Sequence, residues 1–289
     1  MIQNSTKLGY IYAATAFIMW GIFPAFFKLF PPEIGALEIL AARIFFSIFL
    51  LAFIIIVLKH THVLKALFGD SKKRFGLFVG GILISVNWGV FIYAVALGQI
   101  VQTSLGYFIN PLMSILLGVV VLGERLGRAG LFATFLVAVA IGVQIVAAGE
   151  LPMVSLVLPL SFALYGLNKK RLNVGSLEGL FVETVMLLPF VVGYGVYLYS
   201  NGNLHFGLDY NGFLLAFSGV ITVLPLLAFG AASTRISLSS IGYMQYISPT
   251  ISLLLAVYVY HESVYYATKL SFGLIWLALI IAFGAKAKR

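Results

Sequence analysis

The sequence predicts an all-α integral membrane protein: ten transmembrane helices forming an inverted repeat of two five-helix halves. Three observations predict it. The 289 residues are 62% hydrophobic and 9% charged, with mean hydropathy +1.08, whereas soluble domains run at roughly 45–50% apolar and about 25% charged. Ten apolar segments of near-span length can be laid along the chain. A motif recurs at a period near 138 residues.

The ten segments are 8–28, 34–58, 75–98, 102–123, 129–148, 151–168, 177–199, 212–233, 238–260 and 269–285. A span needs about 20 mostly apolar residues. Open strands cannot satisfy their backbone in lipid, and the segments lack the alternation of a barrel, so each is read as a helix. The first segment follows Lys7 with no small-residue cleavage site, which reads as a retained span rather than a leader.

Lys and Arg set the topology. Lys7, Lys59, Lys65, Lys72, Lys73, Arg74, Arg125, Arg128, Lys169, Lys170, Arg171, Arg235, Lys286, Lys288 and Arg289 all fall on one side if the helices alternate. The other side keeps Lys28 and Lys269, with Glu33, Glu150, Asp209 and Glu262. The positive-inside rule then places both termini in the cytoplasm. The net charge of +9 is thus a topology signal, with anionic-lipid contact at Lys72–Arg74, and no nucleic-acid partner is expected. Lys28, near the outer end of the first span, is read as snorkelling to the interface.

The repeat aligns "SLGYFINPLMSILLGVVVLGE" (Ser104–Glu124) with "SIGYMQYISPTISLLLAVYVYHE" (Ser240–Glu262), the second copy carrying two extra residues before its Pro. Pro111 and Pro249 each precede a Glu by thirteen residues, Glu124 and Glu262. Upstream, "LEILAAR" (Leu37–Arg43) lines up with "LEGLFVE" (Leu177–Glu183). The halves are 1–148 and 149–289. Five spans per half is an odd number, so the second copy enters from the opposite face, as in alternating-access carriers with a midplane site.

Charge within lipid marks the candidate site. Arg43 and Glu183 occupy equivalent repeat positions, and a charge at that depth costs about 2.5–3.5 kcal/mol on insertion scales. The expectation is an Arg43–Glu183 pair at the pseudo-two-fold axis. Glu38 is the rival partner, but a five-residue spacing leaves the two side chains about 140° apart around the helix. An ion pair that only locks helices is the bland alternative.

The block "SLGYFINPLMSILLGVVVLGER", with "AFIMWGIFPAFFKL", "EILAARIFFS", "NWGVFIYAV", "FALYGLNKKRL", "ETVMLLP" and "YMQYISPTISLLLAVYVYHE", resembles RarD-type permeases. These are a branch of the EamA-like drug/metabolite transporter superfamily, and the resemblance covers nearly the whole chain. It implies a ten-helix carrier of the bacterial cytoplasmic membrane, of the kind named for chloramphenicol sensitivity. It also implies that spans five and ten are peripheral while the other eight surround a cavity.

Further candidates line that cavity or pack the bundle. Asn87 and Trp88 lie mid-span with Tyr93 beyond; an Asn there also serves as interhelical glue. Trp20 and Tyr165 each precede a Gly and are read as aromatic walls. Tyr107 and Asn110 share a helix face, with Tyr243 and Gln245 near the equivalent place. Pro111 and Pro249 each should remove a backbone hydrogen bond and bend a gating helix; a static kink is the alternative.

Other classes fare worse. Asp70 and Asp209 lie in loops, and His60, His62, His205 and His261 lie at span ends or in loops, so neither an aspartyl pair nor an intramembrane metal or Ser–His site is available. With no cysteine there is no thiolate site, and no phosphate-cradling loop supplies an ATP motor. A channel would want repeated filter elements. The reading is therefore a secondary carrier, not an enzyme, needing no cofactor. Its expected partners are a small organic substrate, the lipid bilayer and a coupling proton, with a homodimer through spans five and ten.

Overall fold

The computed structural model describes residues 2–96, 100–149, 153–259, 261 and 264–287. Glu150, Glu262, Lys288 and Arg289 lie outside the described residues. Among the described residues twelve helices follow in chain order: α1 (Ile2–Phe27), α2 (Ala36–Val57), α3 (Thr61–Gly69), α4 (Ser71–Ala96), α5 (Ile100–Leu122), α6 (Arg128–Ala148), α7 (Met153–Leu172), α8 (Ser176–Ser200), α9 (Tyr210–Ser233), α10 (Leu238–Gln245), α11 (Ile247–Tyr258) and α12 (Tyr266–Ala287). No strand occurs among the described residues.

The described residues of each of the ten predicted segments are largely helical. Among the described residues, seven helices (α1, α2, α4, α6, α8, α9 and α12) are long and apolar enough by themselves to cross a membrane. The apolar part of α5, Gly106–Leu122, is shorter.

Two features depart from the expectation. The basic loop after α2 contains α3, because Val63, Leu64 and Leu67 make an apolar face that packs on Leu77 of α4 and Val182 of α8. Asp70 then starts α4 by accepting from the amides of Lys72 (3.0 Å) and Lys73 (3.1 Å). The predicted segment 238–260 is broken at Tyr246 into α10 and α11. The break falls where the second repeat copy carries its two extra residues. Pro249 therefore sits in the first turn of α11, where a missing N–H costs no helical bond. Pro111, inside α5, does remove one. The expectation of two equivalent bends is corrected: only the first copy has an internal proline kink site, and the second has a break.

The helices pair in a regular way. α2 packs on α8 and α9, α1 on α9 and α11, α7 on α4 and α5, α4 on α8, and α5 on α10. α6 packs chiefly on α12 through Ala133, Val137, Ala140, Ala278 and Ala282, with Ser271 donating to the Ala140 carbonyl (3.0 Å). Two glycines set close crossings. A β-carbon on Gly219 of α9 would lie 2.6 Å from Phe46 Cβ of α2, and one on Gly242 of α10 would lie 2.7 Å from the Pro111 carbonyl oxygen. Small residues at such crossings let backbones approach where lipid gives no hydrophobic drive between helices.

Candidate functional site

Arg43 lies on α2, encircled by side chains of three other helices. Its Nε donates to Thr222 Oγ1 of α9 (2.8 Å). Thr222 can accept because its own hydroxyl proton goes to the Ser218 carbonyl (2.7 Å). The guanidinium carbon lies 5.2 Å from the Phe27 ring centroid and 5.7 Å from Phe23, both on α1, and 5.3 Å from Trp88 on α4. All three are within cation–π range. Tyr107 of α5 is close enough to couple electrostatically to the guanidinium, and its ring meets Phe91.

The expected Arg43–Glu183 pair does not form. Glu183, 1% exposed, accepts instead from Lys169 Nζ (2.7 Å) and from the Tyr165 hydroxyl (3.1 Å), both on α7. Its other oxygen, Oε1, is buried without a hydrogen-bond partner, beside Gly80 of α4, whose missing side chain makes the room. The two residues occupy separate pockets, one aromatic and one basic. Each lies seven positions beyond its helix start, about 10 Å along the axis, so entry into a hydrocarbon core of about 30 Å from opposite faces, if the halves are inverted, would separate them by about 10 Å in depth.

Glu38 does not serve Arg43 either. It accepts from the backbone amide (2.7 Å) and the Nδ1 (2.8 Å) of His205, in the loop after α8. Its repeat partner Glu178, in the first turn of α8, holds Nδ1 of His60, in the loop after α2, at 2.5 Å. Both carboxylates are buried. The Glu at the start of α2 thus clasps a histidine beyond the end of α8, and the Glu at the start of α8 a histidine beyond the end of α2.

The remaining candidates divide. Trp88 joins Arg43. Trp20 packs with Phe17, Phe162 and Phe229 in the core, and Tyr165 stacks on Phe229. Asn87 is glue, donating to the Leu158 carbonyl (2.7 Å) and Ser161 Oγ (3.1 Å) of α7. Tyr243 turns to α6, where its hydroxyl donates to the Gly130 carbonyl (2.8 Å) and meets Thr134 Oγ1 (2.7 Å). Gln245 donates to Ser114 (3.0 Å); its Oε1 and the Asn110 Oδ1 are buried without partners. Tyr93 is exposed and makes no contact with this site among the described residues.

Sequence reasoning missed Lys169, because a Lys-Lys-Arg run closing an apolar segment looks like a topology marker. The available signal was its i, i+4 spacing from Tyr165, which puts both on one helix face. It also missed the clasping histidines and the cap made by Glu124. That side chain accepts from the amides of Leu238 (2.7 Å) and Ser239 (2.9 Å) and from Ser239 Oγ (2.6 Å), satisfying the open N-terminus of α10.

Comparison with known proteins places these features. Residues 7–146 match the EamA-like transporter family. The chain is 41% identical to the uncharacterized transporter YojE of Bacillus subtilis, covering 97% of this chain and 95% of that one. It is 39% identical to protein RarD of Escherichia coli, at 97% and 95% coverage. The chain belongs to the EamA-like transporter family, with RarD proteins among its relatives. A solved crystal structure superposes on this EamA-like chain with TM-score 0.71 over 99% of both chains at 16% identity, a likeness of fold alone. This family member is a multi-pass membrane transporter, and its relatives carry transporter names rather than enzyme names.

Proposed function

We propose that this EamA-family transporter is a secondary carrier of small organic molecules. It works by alternating access between two inverted five-helix halves in the bacterial cytoplasmic membrane, with both termini cytoplasmic. The observation that carries the reading is the exchange of contacts between halves. Equating α1 with α7, α2 with α8, α4 with α9, α5 with α10–α11 and α6 with α12 turns each principal helix pair into another or, for α2–α8, α5–α10 and α6–α12, into itself. The α5–α7 packing becomes α1–α11, α4–α7 becomes α1–α9, and α2–α9 becomes α4–α8. The Glu38–His205 and Glu178–His60 clasps exchange in the same way. The family match over residues 7–146 has the length of one such half.

Two clasps at opposite ends of the α2–α8 pair suit a machine that opens one end at a time. A rocking carrier needs interactions that differ between its two states, and each clasp ties a loop of one half to a helix of the other. Glu183, deep in α8 with one unpartnered oxygen, is the carboxylate suited to a coupling proton.

Flux into proteoliposomes tests this. A panel of chloramphenicol, amino acids, nucleobases and organic acids is offered with and without an imposed pH gradient, to wild type and Glu183→Gln. Gradient-driven uptake lost in the variant supports proton coupling at Glu183. Retained, gradient-independent uptake assigns facilitated diffusion and a structural role for the carboxylate. No saturable flux of any compound would count against the carrier reading.

A further inference from the structure

A cation inside the bundle with no carboxylate partner is the feature that nothing so far explains. Arg43 makes one hydrogen bond, through Nε to Thr222. Neither Nη group has an acceptor among the described residues, and no Asp or Glu among them lies within ion-pair distance; Glu38 and Glu183 are taken by His205 and Lys169. Side chains from α1, α4 and α9 surround the guanidinium, yet Arg43 keeps part of its surface accessible. Tyr107, on α5, is 46% exposed.

The three rings explain why the charge is tolerated. Phe23, Phe27 and Trp88 give the guanidinium quadrupolar stabilisation, while their bodies make apolar walls. Ring faces cannot replace full hydrogen-bond acceptors, which leaves the Nη groups for a planar acceptor.

We propose that Arg43 and its aromatic cage form the subsite for an organic monoanion, an amphipathic carboxylate. Its head group takes the free Nη edge and its apolar body lies against Phe23, Phe27 and Trp88. The charge count selects this class. One guanidinium balances one carboxylate in a planar bidentate geometry. A phosphate dianion would set its second charge against the three apolar rings. A zwitterion would bring an ammonium, and no carboxylate lies within ion-pair distance of Arg43 among the described residues. The inference deepens the carrier reading and rests on it for the movement of the bound acid, though not for the binding itself.

Equilibrium binding of radiolabelled benzoate and benzamide to the purified full chain in lipid nanodiscs tests it. The two probes share a ring and differ in charge. The expected result is a benzoate Kd at least tenfold below that of benzamide, competition by hexanoate, and weak competition by phenylalanine and inorganic phosphate. Arg43→Gln should abolish the preference for the acid, and Arg43→Lys should retain part of it. Equal affinity for acid and amide overturns the assignment, as does absence of saturable benzoate and hexanoate binding; both readouts use wild type and need no variant to fold. Proteoliposome flux separates the two readings. If neutral solutes are carried while acids neither bind nor move, the anion subsite falls and the carrier stands. If benzoate binds but no solute crosses, the carrier reading falls and the subsite stands.

Discussion

Replacing Lys169 by Met should be among the most damaging single changes available in the bundle. Lys169 is 6% exposed and its Nζ lies 2.7 Å from Glu183. At that distance the gross attraction is about 6 kcal/mol for an effective dielectric of about 20. Desolvation of both ions offsets much of it, so the pair contributes little net stability. Its removal is another matter. Without Lys169 the carboxylate keeps one neutral donor, Tyr165, and one oxygen that is already unpartnered. Orphaning a buried charge costs about 3–5 kcal/mol, which sets the expected loss for Lys169→Met at neutral pH. Glu183→Gln in the same background removes the stranded charge and should recover at least half of that loss. The assay is equilibrium unfolding of purified protein in mixed lipid–detergent micelles, run as a double-mutant cycle over both sites. A Lys169→Met loss below about 1 kcal/mol, or a double variant whose loss equals the sum of the singles, would refute the account of a dry, mutually dependent pair.

Three further outcomes are expected. The chain has no cysteine, so a single Cys at Tyr107 is a clean probe. His205→Ala should raise its labelling by a membrane-impermeant maleimide from outside, and His60→Ala from the cytoplasmic side. Unchanged rates in both variants would remove the clasps from any gating role. Glu124→Ala strips three hydrogen bonds from the start of α10 and should cost about 1–3 kcal/mol, against about 1 kcal/mol for Ser239→Ala, measured by the same unfolding assay; equal losses would contradict the capping account. The backbone amide of Lys73, foremost, holds the Asp70 carboxyl below its ordinary value. The stability it lends the start of α4 is present above the usual carboxylate pKa of about 3.9 and is lost as pH falls through the lower folded-state value. Hydrogen exchange at Lys72 and Lys73 should therefore gain protection with rising pH across that window in wild type and lose this dependence in Asp70→Asn.

Much of the fold was legible because hydropathy acts over whole segments. Runs of about 20 apolar residues can only be helices in lipid, and all ten segments found helical structure. The break at Tyr246 was not read from the sequence, although the two unmatched residues before Pro249 carried its signal. The site was legible only in part. Arg43 declared itself as a charge in an apolar run, but its surroundings did not. Phe23, Phe27 and Thr222 are ordinary in such a sequence and acquire meaning only when α1 and α9 fold against α2. The Glu38 and Glu178 positions were visible as a repeated pair, while their histidine partners lie in loops of unlike length and carry no repeat signal. Asn87 and Tyr243 illustrate the converse. A polar side chain inside a span reads alike whether it lines a cavity or bonds a neighbouring helix, and burial decides.

The break between α10 and α11 bears on which way such a carrier rests. Two identical halves exchanging roles would give inward-facing and outward-facing forms of equal energy, each occupied half the time. Here one copy keeps a continuous α5 through Pro111, while the other is divided at Tyr246, whose hydroxyl is tethered to the Phe108 carbonyl of α5 (3.0 Å). On the proposed alternating-access reading, the two residues added to one copy would lift that degeneracy. A difference of only about 1.4 kcal/mol between the forms would leave the empty carrier facing one side about ten times more often than the other. A small mismatch between two copies of one unit would then be enough to set a resting direction.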